Sequence, residues 1–324
     1  MTADPRLVVR PLRWDGRTPH PDDLAAFQRI YPAFEISRTG SVDTSAVDNV
    51  YYLGLAHVDR SETALIEVDG RPTALVYVKV EPAAKDVYAD VAALPGPHEA
   101  AALALAVEHS VAAAHRIVAD RDEPGWTLRI SCWSTDAVVP PLLQAHGLTQ
   151  VRRFLRMRID SASPAIPAAA PDLPPGVDIV VRDDEDARRA IWTVDNESFL
   201  DHWNLVPTPY DEWWDELGTG DSRDPDGWWL LTVEGEPAAI CLLDERRAEM
   251  NEGYVGILGV RRQFRRRGFA GLLLQRAFVR YRDMGRSATL LGVDGQSLTG
   301  AVGVYERVGM HAEHELHGYA LDLT

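Results

Sequence analysis

Apolar and polar positions run along this chain in two rounds of one order. The run LVVRPL at residues 7–12 is echoed by IVVRDD at 179–184, and each is followed by a helical stretch. VDGRPTA at 68–74 is echoed by VEGEPAA at 233–239, 165 residues further on. Both place an acid-Gly pair between apolar runs, which is a β-hairpin signal. The rounds also end alike. Gly147-Leu148 and Gly309-Met310 each precede an aspartate, Asp160 and Asp322, by the same thirteen residues counted from the glycine. Three matches in the same order indicate a duplicated chain.

Each round reads strand, one or two helices, hairpin, strand, helix, strand, helix, strand. In the second round a helix is predicted over 268–284, opening at Gly268 and carrying apolar residues at helical spacing. Arg280 and Arg282 suit its C-terminus. A strand over 288–293 and a helix over 299–308, stopped by Gly309, follow. Between the rounds lies SASPAIPAAAPDLPPG, residues 161–176, proline-rich and without strand or helix period. It reads as a semi-stiff linker. The expected domains are therefore 1–160 and 177–324. The fold class is α/β (α+β mixed sheet), with six or seven strands in each domain.

Chemistry concentrates in GYVGILGVRRQFRRRGFAGLLL, residues 253–274. An apolar strand runs into a short basic loop that opens a long apolar helix. Amides at a helix N-terminus lack internal partners and sit at the positive end of the dipole, so they suit a pyrophosphate. Gly268 and Ala270 let phosphates approach the backbone, and arginines add charge. The loop has neither the Gly-Lys-Ser/Thr ending of a P-loop nor the GxGxxG of a dinucleotide fold. An exposed basic turn before a core helix is the plainer alternative.

Arg265, Arg266, Arg267, Gly268, Phe269 and Ala270 resemble the acetyl-CoA signature of the GNAT acetyltransferase superfamily, Arg/Gln-x-x-Gly-x-Gly/Ala. Leu258, Gly259 and Val260 before them resemble that family's splayed fourth strand, whose backbone pairs with the pantetheine arm. The segment VDGQSLTGAVGVYERVGM, residues 293–310, resembles the family's last motif, with Tyr305 in the tyrosine position and Gly309-Met310 as its ending. The resemblance implies one acetyl-CoA per chain as acyl donor, its pyrophosphate on the amides from Arg265 to Gly271, with Ser297 and Ala301 also lining the donor. It implies Tyr305 as the acid that protonates the leaving thiolate; a tyrosine is matched to that task by its ordinary pKa of about 10. A buried aromatic on an amphipathic helix is the alternative reading of Tyr305.

Two departures stand out. Ser297 takes the place where the family often has Asn, and Gly256 the place where many relatives carry a mid-strand acid. Glu252, near the strand start, is the alternative general base, acting through water; a solvated strand-end acid is the other reading. The first round departs further. Its strand passes into a helix through Pro95-Gly96-Pro97, so two donors are missing where phosphates need them. Leu143 stands at the position of Tyr305. This half resembles a degenerate GNAT repeat, in a tandem layout like that of mycothiol synthase.

For the acceptor, the segment 196–217 interleaves His202, Trp203, Tyr210, Trp213 and Trp214 with carboxylates, a composition suited to a cationic amine. His202, Trp203 and Tyr210 are the expected substrate contacts. Trp213 and Trp214 are adjacent and cannot share one helix face, so at least one belongs to the core. A net charge of −16, from 33 basic and 49 acidic residues, argues against a nucleic-acid partner and fits a cationic small substrate or simple solubility. Cys132 and Cys241 lie in apolar runs and read as buried strand residues, with no metal-ligand spacing. No basic leader with an apolar stretch and no membrane-length apolar run is read, so a cytoplasmic protein without a membrane partner is expected. The expected activity is acetyl-CoA-dependent N-acetylation of a small primary amine in a ternary complex. A mycothiol synthase-type transferase and a non-catalytic acyl-CoA sensor are the alternatives.

Overall fold

The hairpins expected at Asp69-Gly70 and Glu234-Gly235 both form, and by the same means. The paired turn residues are left-handed in each, with φ of 50° and 76° in the first and 50° and 78° in the second. That geometry matches the twist of the strands it joins. The computed structural model describes residues 7–119, 121, 123–200, 206–218, 222–296 and 300–323.

The first round contains β1 (Leu7–Pro11), a small hairpin of β2 (Trp14–Asp15) and β3 (Thr18–Pro19), α1 (Pro21–Thr39) and α2 (Ala46–Gly54). It continues through β4 (Ala64–Val68), β5 (Arg71–Glu81), β6 (Asp86–Ala93), α3 (Glu99–Ala119), β7 (Trp126–Trp133), α4 (Val139–Ala145) and β8 (Thr149–Asp160). The second contains β9 (Val177–Val180), α5 (Glu185–Phe199), α6 (Tyr210–Leu217), β10 (Arg223–Val233), β11 (Glu236–Asp244) and β12 (Glu252–Val260). It ends with α7 (Phe269–Asp283), β13 (Ala288–Asp294), α8 (Ala301–Arg307) and β14 (His311–Leu323).

The chain forms two compact units, Met1–Arg153 with His314–Thr324, and Phe154–Glu313. Their edges differ from the expected 1–160 and 177–324. The last strand of each round pairs inside the unit of the other. β14 lies antiparallel to β7, from Leu316↔Trp133 to Leu323↔Trp126. β8 lies antiparallel to β13, from Asp160↔Ala288 to Phe154↔Asp294. The first unit thus has the strand order β1-β4-β5-β6-β7-β14, and the second β8-β13-β12-β11-β10-β9. One parallel contact, β6 with β7 or β12 with β13, interrupts each otherwise antiparallel sheet.

Segment 161–176 is not a free connector. Ile166 is buried in the second unit's core, and α7 reaches out to hold the chain. Arg276 Nη1 donates to Pro171 O at 2.5 Å, and Arg282 Nη1 to Pro167 O at 2.7 Å. Helix α3 is long and apolar enough to cross a membrane by length and composition, with mean hydropathy 1.2, although the apolar-run reading had expected no such segment. It is a core helix of its unit: Ala102, Leu103, Ala106, Val107, Ala113 and Ala114 are buried, and it packs on β4, β5 and β6.

In the second unit the sheet carries a core on each face. Ala239, Cys241 and Leu243 of β11 join Leu273, Leu274 and Phe278 of α7. Ile240 and Leu242, pointing the other way, join Ile191 and Val194 of α5, Trp213 of α6, and Trp228 and Leu230 of β10. Trp213 Nε1 donates to Asp195 Oδ2 at 2.8 Å. Burial pushes the Asp195 carboxyl up to about 6, opposed in part by that hydrogen bond.

This carboxyl yields a pH prediction. Its folded value lies above the unfolded one, so the folded protein holds the proton more tightly. Asp195 therefore destabilises nothing below about pH 4, and increasingly as pH rises through about 6. Asp195→Asn, which keeps the acceptor for Trp213, should raise stability at pH 8 by up to about 3 kcal/mol. The gain should shrink to about 1 kcal/mol at about pH 4.5 and vanish only below about pH 3.5. Denaturant melts of both proteins at the two pH values test this; an equal gain at both would show that ionisation is not the cause.

Candidate active site

β12 is paired with β13 over only three residues, from Glu252↔Ala288 to Tyr254↔Leu290. Beyond them β12 stays with β11 as far as Val260↔Ala239, while β13 stays with β8 as far as Asp294. A wedge therefore opens from Val255 onward, lined by backbone groups of β12 that have lost their partner strand. Gly256 is the extra residue of a β-bulge: Leu243 pairs with Val255 and Leu242 with Ile257. A bulge of this kind bends and twists its strand, which is what parting from β13 requires. Gly259 is glycine for contact: a Cβ there would lie 2.9 Å from Ser198 Cβ of α5. Leu258 and Val260 pack toward the α7 face.

A single 3-10 turn, Arg262–Phe264, carries the chain from β12 into the loop. Arg266 then turns left-handed at φ 63°, and Gly268 again at φ 85° before α7 begins. Among the described residues, the amides of Arg266, Arg267, Gly268, Phe269, Ala270 and Gly271 donate to no backbone carbonyl. Left-handed residues alternating with ordinary ones aim successive N–H groups into one concavity, a nest for an anion, here at the positive end of a fifteen-residue helix. A Cβ on Gly268 would meet nothing within 4 Å, so open space lies over the nest. These residues fit a pyrophosphate.

The arginines divide their work. Arg265 holds the loop: its Nε donates to Val260 O at 3.1 Å and its Nη2 to Ser198 O at 2.9 Å. The Arg265 amide is itself bonded to Arg262 O at 3.3 Å, so within the expected run from Arg265 to Gly271 the open amides begin at Arg266. Arg261 is likewise bound, to Glu197 Oε2 at 2.6 Å and Pro237 O at 2.8 Å. Arg266 and Arg267 are exposed, and the Arg267 guanidinium sits 5.1 Å from the Phe269 ring. Phe269 itself is a core anchor, leaving only its amide for a ligand. Gly271 lets α8 close on α7, where its Cβ would lie 3.5 Å from Val308 Cγ1.

Tyr305 and half-buried Ala301 sit on α8, and Tyr305 packs into the α7-side core. Its hydroxyl makes no hydrogen bond among the described residues. Burial, helped by the nearby Cys241 thiol, pushes its phenol up to about 12. Ser297, His202 and Trp203 lie outside the described residues.

Two further expected residues have their polar groups engaged within the fold. Glu252 lies where the strands are still paired, and both its oxygens are taken. Oε1 accepts from Arg158 Nη1 at 2.7 Å, and Oε2 from Arg247 Nη2 at 2.7 Å and Nε at 3.0 Å. Tyr210 is tied into α5 and α6: its hydroxyl donates to Glu185 Oε2 at 3.0 Å, and its ring stacks on Trp213.

The structure brings other groups to the wedge that sequence reasoning missed. Asp244 and Tyr254 are directly opposed on β11 and β12. The Asp244 carboxylate accepts from Arg246 N and Nη2, both at 2.6 Å, and its Cβ lies 3.8 Å from where Gly256 would carry one. Tyr254 reaches over β13, its hydroxyl 3.4 Å from the Cβ position of Gly292, and accepts from Arg156 Nη1 at 2.9 Å. Arg156 belongs to β8, so a reading that left residues 1–160 in the first domain had no reason to look there.

Residues 188–310 match the model of the acetyltransferase (GNAT) family. None of the curated proteins matches the chain. Among solved structures, it is similar to a GCN5-related N-acetyltransferase from Sphaerobacter thermophilus, with 24% identity, TM-score 0.76, and coverage of 98% of this chain and 96% of that one. It is also similar to a tandem GNAT protein from the clavulanic acid biosynthesis pathway, with 14% identity, TM-score 0.72, and coverage of 98% and 99%. A third likeness is to a chain of a fungal multi-domain GH3 beta-N-acetylglucosaminidase with a glucosamine N-acetyltransferase region, with 13% identity, TM-score 0.69, and coverage of 98% and 38%. At these identities the likeness is one of fold, and it spans both units. The match to the GNAT acetyltransferase family thus falls within the second unit, and the likeness of fold to GNAT proteins, a tandem one among them, extends over the whole chain.

Proposed function

We propose that the second unit transfers the acetyl group of acetyl-CoA to a primary amine of a small molecule, by direct attack in a ternary complex. The observation that carries this reading is the run of unpartnered amides from Arg266 to Gly271 at the end of the strand whose edge opens at Val255. The nest and the exposed Arg266 and Arg267 hold the pyrophosphate, and the free edge of β12 at Leu258, Gly259 and Val260 pairs with the extended arm. Acetyl-CoA supplies an acetyl thioester at the wedge. The reading places the reaction in the cytoplasm.

Two side chains handle protons. Tyr305, raised to about 12, stays protonated at neutral pH. Full transfer of its proton to a thiolate of ordinary pKa about 8.5 runs uphill, so its hydroxyl works as a hydrogen-bond donor to the leaving sulfur. The acid that β12 lacks is supplied by the neighbouring strand. Asp244 lies beside the gap left by Gly256, where a water has room; each of its oxygens accepts one hydrogen bond from Arg246 and keeps a second lone pair, and through that water it acts as general base on the proton that nitrogen loses as the C–N bond forms and the C–S bond breaks.

Three variants test the scheme, each against acetyl-CoA affinity and free-thiol release with an amine panel. Gly268→Val forces a β-branched residue into φ 85° and fills the space above the nest; it should lose acetyl-CoA binding, measured by calorimetry. Tyr305→Phe should leave affinity nearly unchanged and lower kcat by about 10²–10³-fold, the scale for losing one preorganised donor. Asp244→Asn should lower kcat by about 10²-fold or more, again with affinity retained. Unchanged kcat in either of the last two removes that residue from the scheme. Tight acetyl-CoA binding without thiol release for any amine would make the protein an acyl-CoA sensor.

A further inference from the structure

Two phenols hold corresponding places in the two units. Tyr88 on β6 is opposed to Lys79 on β5, and Tyr254 on β12 to Asp244 on β11. Both stand two residues after the first pair of their parallel ladder, Asp86↔Thr127 and Glu252↔Ala288. The first unit repeats the wedge, since β6 leaves β7 after Ala89↔Ile130 and stays with β5 as far as Ala93↔Ala74. It does not repeat the cradle: Pro95 and Pro97 have no N–H to offer, and Glu99 in the first turn of α3 is paired with Arg38. There the phenol is tied locally. The Tyr88 hydroxyl donates to Asp86 Oδ2 at 3.0 Å, and Arg129 Nε donates to the same oxygen at 2.7 Å. The acid at the place of Asp86 in the second unit is Glu252, whose oxygens are taken by Arg158 and Arg247.

Tyr254 is placed otherwise. It is the last residue of β12 paired with β13, so its side chain leaves the strand where the wedge opens. Being opposed to Asp244, it shares the sheet face of Ile240 and Leu242, the α5 side, whereas Tyr305 lies in the α7-side core. The ring crosses onto β13 beyond the parting: its hydroxyl lies 3.4 Å from the Cβ position of Gly292, two residues past the last pair. Gly292 is paired with Arg156 of β8. Arg156 Nη1 lies 3.5 Å from the same Cβ position and donates to the Tyr254 hydroxyl at 2.9 Å, so even a methyl group at 292 would touch both. In the first unit the corresponding cross-strand pair is Ser131 and Gly318, which brings no guanidinium. The Tyr254 backbone is pinned in its turn by the Tyr281 hydroxyl, which donates to Tyr254 O at 2.9 Å.

A phenol oxygen that accepts from a guanidinium still has its own proton to give. Among the described residues the Tyr254 hydroxyl donates to none. Arg156 strengthens it as a donor by drawing electron density from the oxygen, and a second guanidinium, that of Arg246, lies 5.5 Å from the ring centroid. An O–H so held at the mouth of the wedge suits an oxygen that gains negative charge during reaction, which in acyl transfer is the carbonyl oxygen. We propose that Tyr254 is a further catalytic residue of the second unit: held by Arg156, its hydroxyl donates to the carbonyl oxygen of the acetyl thioester. This rests on the acetyl-transfer reading of the same unit and extends it to the group that stabilises that oxygen. As the nitrogen lone pair forms the C–N bond, the π pair of the carbonyl moves onto the oxygen, under the Tyr254 hydroxyl. The pair returns as the C–S bond breaks, and the sulfur leaves with its bonding electrons beside Tyr305. The nitrogen proton passes through water to Asp244, and Tyr254 keeps its own. The two phenols act from opposite faces of the sheet, one on oxygen and one on sulfur.

The test reads the carbonyl stretching band of acetyl-CoA, isotopically labelled at the acetyl carbonyl carbon, by infrared difference spectroscopy on the full chain with no acceptor present. Calorimetry on the same samples measures affinity. Bound to the unmodified chain, the band should move to lower frequency than in free acetyl-CoA, because a hydrogen bond to the oxygen weakens the C=O bond. Tyr254→Phe should lose most of that displacement with affinity nearly unchanged, and Tyr305→Phe should keep it. With an acceptor amine, Tyr254→Phe should also lower kcat by about 10²–10³-fold, the scale for removing one oxyanion donor. An undisplaced band in the unmodified chain, a displacement undiminished in Tyr254→Phe, or one lost in Tyr305→Phe instead overturns the proposal. If Tyr254→Phe does not fold, Arg156→Met, which keeps the ring and removes its hold, decides by the same loss or retention. Absence of acetyl-CoA binding in the calorimeter overturns the acetyl-transfer reading along with this one, whereas binding with an undisplaced band overturns this one alone.

Discussion

The parting of two parallel strands is the constraint on which this structure depends. β12 and β13 share three residue pairs and then separate, which leaves backbone N–H and C=O groups without the strand they would bond. Buried backbone groups are almost always paired, so such an edge persists only where something else satisfies it. Around this edge the sequence makes room. Gly256 forms the bulge that starts the divergence, Gly259 admits α5 closer than a Cβ would allow, and the Tyr254 hydroxyl lies over Gly292. The parting also directs the chain from β12 into the loop before α7, where the unpartnered amides gather. The donor cradle and the open edge are thus consequences of one departure from regular pairing.

The same departure explains why the acids of the second unit have different duties. Glu252 precedes the parting and is locked between Arg158 and Arg247, so it fastens β12 where it is still paired. Asp244 stands one strand over, beside the bulge, and is held from one side only, by Arg246. Asp195 anchors Trp213 within the α5–α6 core. Tyr281 reinforces the point of divergence from the other face. Its ring lies against Gly253, and its hydroxyl donates to Tyr254 O at 2.9 Å, with Asp244 O also within reach at 3.1 Å, and accepts from Asp244 N at 3.2 Å. Residue type alone does not distinguish these carboxylates; what separates them is which lone pairs the neighbours have already taken.

Features decided by local backbone geometry were legible from the chain. The two left-handed hairpin turns, and the matching helix ends in which Leu148 N bonds Leu143 O and Met310 N bonds Tyr305 O, depend on a few adjacent residues. The basic loop and its helix were legible for the same reason. What was not legible is decided at long range. β8 and β14 carry the same alternation whichever sheet receives them, so their exchange between the units leaves no mark in the pattern. Arg156 and Arg158 reach the second unit only through that exchange. The partners of Arg265, Glu252 and Tyr210 were not legible either, because an arginine facing carbonyls, or a carboxylate facing two arginines, is indistinguishable in sequence from a free one.

The duplication makes the physical requirements separable, because two nearly equivalent scaffolds carry different side chains at corresponding places. In the second unit the loop offers amides and exposed arginines, and the apolar pair Leu242 and Ile257 occupies the opposite face. In the first unit Pro95, Pro97 and the Arg38–Glu99 pair close the loop, and Tyr77 and Asp90 occupy that face. The wedge is present in both. A wedge is therefore a consequence of the fold, whereas an anion cradle and a half-buried carboxylate are choices made on it.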